Sequence, residues 1–277
     1  MTLFRYPGGK AKLKSQILNR IAALRDRETE FGELFIGAGA ILESLLSDAR
    51  FDFMRVRLND RDPTVGAVWN SILRYPDALN NRLSSYTPKI GDFESFKSEL
   101  LEIRDYVGSG WKMIDVAFKK IAIHQISFSG LGPRAGGVMG GKTQGSKYPL
   151  SCRYNPQALC RKIDQLHEQL SKVEIIGRYC TCEDFSPLLR NGNGGQVWFL
   201  DPPYYANGPG LYQVAFTPQD HENLAYTLRA SETKFLCSYD DHPVIRRLYQ
   251  WARMEPVEVN YSIKTARRRS ELLISRD

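Results

Sequence analysis

The chain has 277 residues, 42% of them apolar and 25% charged, and carries a formal net charge of +7. That length buries a full core, as one large domain or as one domain with a substantial insert. No run approaches the roughly 18–20 apolar residues of a membrane span, and Met1-Thr2-Leu3-Phe4-Arg5-Tyr6-Pro7 has no long apolar stretch or cleavage pattern, so neither membrane association nor a signal peptide is expected. The basic balance favours a polyanionic partner; it is bunched at Arg246-Arg247 and Arg267-Arg268-Arg269, although most such runs are solvated surface. Five cysteines (Cys152, Cys160, Cys180, Cys182, Cys237) are an odd, irregular set, which fits a reducing cytoplasm better than a disulfide framework. Cys180 and Cys182 lack a second pair or neighbouring histidines, so no metal site is expected.

Leu13, Ile17, Leu18, Ile21 and Leu24 recur at helical spacing and predict a helix over residues 12–25. Phe31 to Ile36 reads as a strand, Gly37-Ala38-Gly39 as a tight turn and residues 40–48 as a helix, and a second strand ends at Leu58 before Asn59-Asp60. This βαβ opening begins a parallel sheet. The middle changes character, with helices predicted over 63–75, 92–107 and 112–127. Ser129 to Ser146 holds seven glycines and is too long for an idle connection, so it is a binding loop, a hairpin or a disordered segment. Asn155-Pro156 supplies an N-cap and first-turn proline for a helix to about residue 172. The α/β pattern then resumes, with strands near 173–177, 196–200, 234–239, 255–263 and 271–275. Thr217-Pro218 with Asp220 opens a helix with a capping box, and Pro243 opens another. The expected organisation is an α/β domain, residues 1–62 and 173–277, interrupted by a mainly helical insert, residues 63–172.

The most telling segment is Asp201-Pro202-Pro203-Tyr204, which closes the apolar run Val197-Trp198-Phe199-Leu200. At a strand's carboxyl end it sets a carboxylate, carbonyls without competing N–H groups and an aromatic face side by side. The prolines fix φ and donate nothing, so the turn is stiff and rich in acceptors. Such a turn suits a flat ring with an exocyclic amine, held by acceptors and stacked on the tyrosine. Taken alone, the tetrapeptide fits a plain Pro-Pro turn equally well.

Other segments point the same way. Glu33-Leu34-Phe35-Ile36-Gly37-Ala38-Gly39 lies where a first strand turns into a helix, and its glycines let a ligand approach the backbone beside a helix N-terminus. Asp60 ends the second strand, where nucleoside-binding α/β folds place a carboxylate on ribose hydroxyls. Separately these are a tight turn and a helix cap; together they describe a nucleoside cofactor at a topological switch point. Upstream lies Phe4-Arg5-Tyr6-Pro7-Gly8-Gly9-Lys10, and downstream Cys182-Glu183-Asp184-Phe185 offers an acceptor and a ring for a purine.

In this order the segments resemble the Dam-like DNA adenine-N6 methyltransferases. The resemblance rests on Tyr6-Pro7-Gly8-Gly9-Lys10, Phe35-Ile36-Gly37-Ala38-Gly39, Leu58-Asn59-Asp60, Glu183-Asp184-Phe185, Asp201-Pro202-Pro203-Tyr204 and Glu271-Leu272-Leu273-Ile274, and spans almost the whole chain. Phe128-Ser129-Gly130-Leu131 and Cys152-Arg153-Tyr154-Asn155 are similar to elements flanking that family's DNA-binding hairpin; Leu34 departs, where a proline is common. The resemblance implies a Rossmann-like fold with a mostly parallel seven-stranded sheet and an antiparallel edge strand. It implies S-adenosylmethionine as cofactor, double-stranded DNA as partner, a base flipped out of the duplex and a monomeric cytoplasmic enzyme of a bacterial or phage-infected cell.

Carried over position by position, the resemblance puts Tyr6 and Lys10 on the methionine part of the cofactor, with Glu33, Phe35, Gly37 and Gly39 lining its pocket. Asp60 would take the ribose, and Asp184 with Phe185 the adenine ring. Asp201, beside the cofactor, and the Pro202 carbonyl would accept the two amine hydrogens of the target, Pro203 would stiffen the turn, and Tyr204 would stack on the base. Ser129, Arg134, Lys142, Lys147, Arg153, Arg267 and Arg268 would contact DNA, with sequence recognition within residues 128–155. Cytosine-N4, RNA-adenine and glutamine-amide methyltransferases use related turns and are the alternatives within the same chemistry. A DNA-binding protein on a decayed methyltransferase fold is the alternative outside it.

Overall fold

A computed structural model of the chain describes residues 3–4, 10, 13–25, 29–105, 108, 110–190, 195–206, 214–261 and 267–276. In chain order the elements are α1 (Lys14–Leu24), β1 (Glu30–Glu33), α2 (Ala40–Leu46), β2 (Arg55–Leu58), α3 (Pro63–Arg74), α4 (Pro76–Ser84), α5 (Asp92–Glu102), α6 (Trp111–Ile126) and α7 (Pro156–Leu170). They continue with β3 (Glu174–Ile175), α8 (Phe185–Arg190), β4 (Gln196–Leu200), α9 (Pro218–Ala230), β5 (Lys234–Asp240), α10 (Pro243–Leu248), β6 (Arg253–Tyr261) and β7 (Arg267–Ser275). The strands form one seven-stranded sheet of order β3-β2-β1-β4-β5-β7-β6. The pairs β1–β2, β1–β4 and β4–β5 are parallel, whereas β7 runs antiparallel to β5 and to β6. This is the expected α/β methyltransferase-type sheet: βα crossovers build its parallel part, and β6 and β7, consecutive in sequence, pair antiparallel at one end.

The chain divides into two compact units, Met1–Gly9 with Asp60–Cys182, and Lys10–Asn59 with Glu183–Asp277. In the second unit every residue of β1 and β4 is buried, the signature of strands covered on both faces. Burying Phe199 or Leu200 in such a strand stabilises the fold by about 1.5–3 kcal/mol each. Gly32 on β1 sits opposite Trp198 of β4, and a Cβ there would lie 2.2 Å from the indole ring. The glycine is what lets the largest buried side chain of β4 lie across its neighbour. β1 is shorter than its apolar run predicts. It ends at Glu33, and Ile36 bonds to the Asn59 carbonyl at 3.1 Å, so Leu34-Phe35-Ile36 leads out of the sheet into the turn. The capping box of α9 is present, Thr217 and Asp220 each binding the other's backbone N–H.

The first unit is mainly helical. α3 is buried along Pro63–Ile72 and α6 along most of its length. Asp62 caps α3 through the Thr64 N–H at 2.9 Å and takes the Lys120 ammonium of α6 at 2.9 Å, both side chains only 4% exposed. Burial alone would push the Asp62 carboxyl up, but Lys120 and Thr64 outweigh it and hold it below the ordinary carboxylate range. Asn155 caps α7 through Ala158 at 2.9 Å, and Tyr154 donates to the Leu83 carbonyl at 2.7 Å. α4 is an element the sequence reading did not predict, and α5 stops at Glu102 rather than 107.

Candidate active site

The acceptor turn begins where β4 ends. Asp201 and Tyr204 are half-buried, and Pro202 and Pro203 are buried. Ser238 of β5 donates to Asp201 Oδ1 at 2.8 Å, and the Lys10 ammonium reaches the same oxygen at 2.8 Å. Asp201 has no further polar partner among the described residues, so Oδ2 is the oxygen that remains available. Lys10 is 4% exposed. It also donates to the Tyr204 hydroxyl, lies 4.5 Å from the centre of that ring, and stands 3.6 Å from Glu271. Tyr204 in turn donates to Glu271 Oε2 at 2.7 Å. One buried ammonium therefore serves two carboxylates and a phenol.

Electrostatics follow from that sharing. Burial pushes the Asp201 carboxyl up and the Glu271 charge adds to it, while Lys10 and Ser238 pull it down; it lies above its ordinary value of 3.8. Burial, with Asp201 beside it, pushes the Cys237 thiol well above the ordinary thiol range, which disfavours its thiolate. Asp240 accepts from the backbone N–H groups of Tyr205 and Ala206 at 2.9 Å each, pinning the turn from β5. The Tyr205 ring packs on His221 and His242, with centroids 5.1 and 4.6 Å away. Burial drops His221 to about 4, so it adds no positive charge at neutral pH.

The glycine loop takes the backbone the glycines allow. Gly37 and Gly39 have φ of 48° and 67°, and Gly39 precedes α2 in the left-handed region with no side chain to cap it. Glu33, 2% exposed, accepts from the Leu42 N–H at 3.2 Å and so serves that helix start. Asn59 donates to the carbonyls of Leu34 and Glu183 at 3.1 and 3.2 Å and accepts from the Glu183 N–H at 3.0 Å. It thereby holds the loop after β1 beside Glu183-Asp184-Phe185. Phe185 lies 6.4 Å from Phe35, and Phe216 lies 5.5 Å from Phe35 and 5.9 Å from Phe185. Asp184 is exposed and accepts from the Phe185 N–H at 2.7 Å.

Within the second unit, then, Lys10, Asp201 and Tyr204 meet directly, and Phe35 meets Phe185. Asp60 belongs to the first unit, where it is 6% exposed and accepts from the Asp62 N–H at 2.9 Å. Tyr6 lies outside the described residues, as do the side chains of Arg267 and Arg268. Glu271, Asp240, Asn59 and Phe216 escaped the sequence reading as individual residues. Glu271 and Asn59 did stand inside the quoted motifs, which was the available signal.

In the first unit, the glycine-rich stretch folds back on the end of α6. Ser127 pairs with Val138 in an antiparallel bridge, and Met139 donates to the Ile126 carbonyl at 2.7 Å. Gln144 ties it internally, donating to the Met139 and Gly141 carbonyls and accepting from Leu150. That bridge is isolated, with no longer strand ladder on the stretch among the described residues. Ser129, Arg134, Lys142 and Lys147 are exposed on this stretch, and Arg153 is half-buried. Phe128 is exposed as well.

Over residues 6–263 the chain matches the family model of the D12 class N6 adenine-specific DNA methyltransferases. No curated protein matches it. Among solved structures it is similar to the rRNA methyltransferase aviRa from Streptomyces viridochromogenes, with 15% identity, coverage of 99% of this chain and 88% of that chain, and a TM-score of 0.43. A second structure of aviRa gives 14% identity, 98% and 86% coverage, and a TM-score of 0.42.

Proposed function

The chain belongs to the D12 class N6 adenine-specific DNA methyltransferase family, and on that premise we propose that the target adenine is methylated where Lys10, Asp201, Tyr204 and Glu271 meet. The observation that carries the reading is the sharing of Asp201: Ser238 and Lys10 both take Oδ1, which leaves Oδ2 for the amine. An adenine amine is a weak nucleophile because its lone pair is delocalised into the ring. Hydrogen bonds to Asp201 Oδ2 and the Pro202 carbonyl draw the nitrogen towards a tetrahedral form. Positive charge then grows on nitrogen beside a cluster in which two carboxylates face one ammonium, a fixed field that stabilises it. Asp201, its basicity raised by burial, is suited to accept the proton the product nitrogen loses. Stacking on Tyr204 offsets part of the few kcal/mol that flipping the base costs.

S-adenosylmethionine is the proposed donor, supplying when bound a methyl group on a cationic sulfur. The residues present fit it. Phe35, Phe185 and Phe216 form an aromatic group for a purine, the exposed Asp184 suits an exocyclic amine, and Asp60 is the proposed ribose ligand. Tyr6, Lys10, Glu33, Gly37 and Gly39 complete the proposed set, and the acidic excess around Lys10 suits a sulfonium. Residues 63–172 are proposed as the target-recognition insert. In it Ser129, Arg134, Lys142, Lys147 and Arg153 would supply groove and phosphate contacts, joined by Arg267 and Arg268 from β7.

The test is to incubate the purified chain with unmethylated duplex DNA and methyl-labelled S-adenosylmethionine, then digest to nucleosides. Label in N6-methyladenine supports the reading; label in N4-methylcytosine alone contradicts it.

A further inference from the structure

We propose that Glu271 is a positioning residue for methyl transfer, acting through Tyr204 and Lys10 rather than by touching the base. This rests on the function proposed above. Glu271 is 2% exposed and accepts the Tyr204 hydroxyl at 2.7 Å. In the antiparallel register of β5 and β7 it lies directly opposite Asp240, which holds the N–H groups of Tyr205 and Ala206. Two carboxylates at one level of two paired strands thus fix the acceptor turn: Asp240 holds its backbone and Glu271 the far end of its stacking ring.

The phenol has little freedom. Its oxygen accepts a hydrogen bond from Lys10 and its O–H donates one to Glu271, so the ring is held from both sides of its hydroxyl. An aromatic platform orders a flipped base only if its own rotamer is locked, and a hydroxyl fixed by two buried groups locks it. Glu271 also faces Lys10 at 3.6 Å, so it shares the ammonium with Asp201. It belongs to the antiparallel end of the sheet, on the strand inserted between β5 and β6, which gives that insertion a purpose in the chemistry.

The experiment measures single-turnover methylation of unmethylated plasmid DNA by excess enzyme for wild type, Glu271→Ala, Glu271→Gln, Tyr204→Phe and the double variant Glu271→Ala/Tyr204→Phe. Glu271→Ala is expected to lose about a hundredfold in rate. Glu271→Gln keeps an acceptor for the phenol and should recover to within about fivefold of wild type. The double variant should be no slower than Glu271→Ala, because both substitutions remove one interaction.

A second readout guards against a general loss of packing. The groups facing Asp201 are Lys10, Glu271 and the Cys237 thiol. Removing the Glu271 charge in Glu271→Gln should move the acid limb of the pH–rate profile to lower pH, which a purely structural role would leave in place. A wild-type rate in Glu271→Ala, single effects that multiply in the double variant, or an unmoved acid limb in Glu271→Gln would each overturn the inference. No methyl transfer by the wild-type chain would instead overturn the function on which it rests.

Discussion

Each unit of this protein buries a lysine against carboxylate, and the two sites behave oppositely. Among the described residues Lys120 has Asp62 as its ion-pair partner, at 2.9 Å, and Asp62 has further donors in Thr64. Its carboxyl is held below the ordinary range because its partners outweigh burial. Lys10 is divided among Asp201, Glu271 and the Tyr204 hydroxyl, and there burial together with the second carboxylate prevails, leaving Asp201 above its ordinary value. A buried pair matched one to one holds a fold together, here by fixing the start of α3 to α6. A buried cation shared by two anions leaves acceptor capacity and basicity unspent, which is what an amine substrate requires.

The largest expected effect tests the structural pair. Asp62→Ala leaves Lys120 buried without its partner and removes the α3 cap, so urea denaturation should show a loss of about 3–5 kcal/mol. Lys120→Met with Asp62→Asn should recover most of it, since an apolar side chain of similar shape replaces the ion. If Asp62→Ala denatures like wild type, the contrast between the sites fails on this side.

The pH response should separate the two sites by sign. A carboxyl lowered in the folded state, as Asp62 is, contributes stability that is present above 3.8 and lost as pH falls through its folded value. A carboxyl raised in the folded state, as Asp201 is, contributes stability that is present below 3.8 and lost as pH rises through its folded value. Wild type minus Asp62→Asn should therefore shrink on acidification, and wild type minus Asp201→Asn should grow. On the proposed role of Asp201 as the amine's acceptor, methyl transfer should fall on an acid limb lying above 3.8. Differences of the same sign would merge the two sites into one kind.

The smallest effect concerns the glycine-rich stretch of the first unit. Lys142→Gln and Lys147→Gln should each weaken binding to all duplexes alike and reduce the slope of log binding constant against log salt by about 0.9. Unchanged slopes in filter-binding titrations would remove these lysines from the DNA surface.

Much of this was legible in sequence where the signal is local. The apolar run ending at Leu200, the Thr217–Asp220 capping box and the Asn155 cap all depend on residues within a few positions, and each took its expected form. α4 was missed because Pro76 reads as a stop after α3, whereas Tyr75, at φ −141° and ψ 44°, breaks one helix and lets the proline open the next. β1 was overextended because Leu34-Phe35-Ile36 is as apolar as a strand, yet that burial serves a turn. Gly32 carried no signal, since its need comes from Trp198 on another strand.

The same limit governs the site. That Asp201 and Tyr204 come together around Lys10 was half legible, because one short motif holds both. Glu271 stood inside a quoted motif without a role of its own, since the partner that explains it is a tyrosine 67 residues away. Asn59 likewise stood inside a quoted motif, but the contact that explains it lies 124 residues downstream, at Glu183. Long-range partners set by strand register are what local pattern cannot supply.

The most direct test of the shared-lysine account is Asp201→Asn, measured at neutral pH for thermal stability and for single-turnover transfer of label to N6-methyladenine. The account predicts a rate lower by about a thousandfold or more with melting unchanged or raised, because Lys10 keeps Glu271 and the Tyr204 hydroxyl as partners. A near-wild-type rate, or a collapse in stability like that expected of Asp62→Ala, would contradict it.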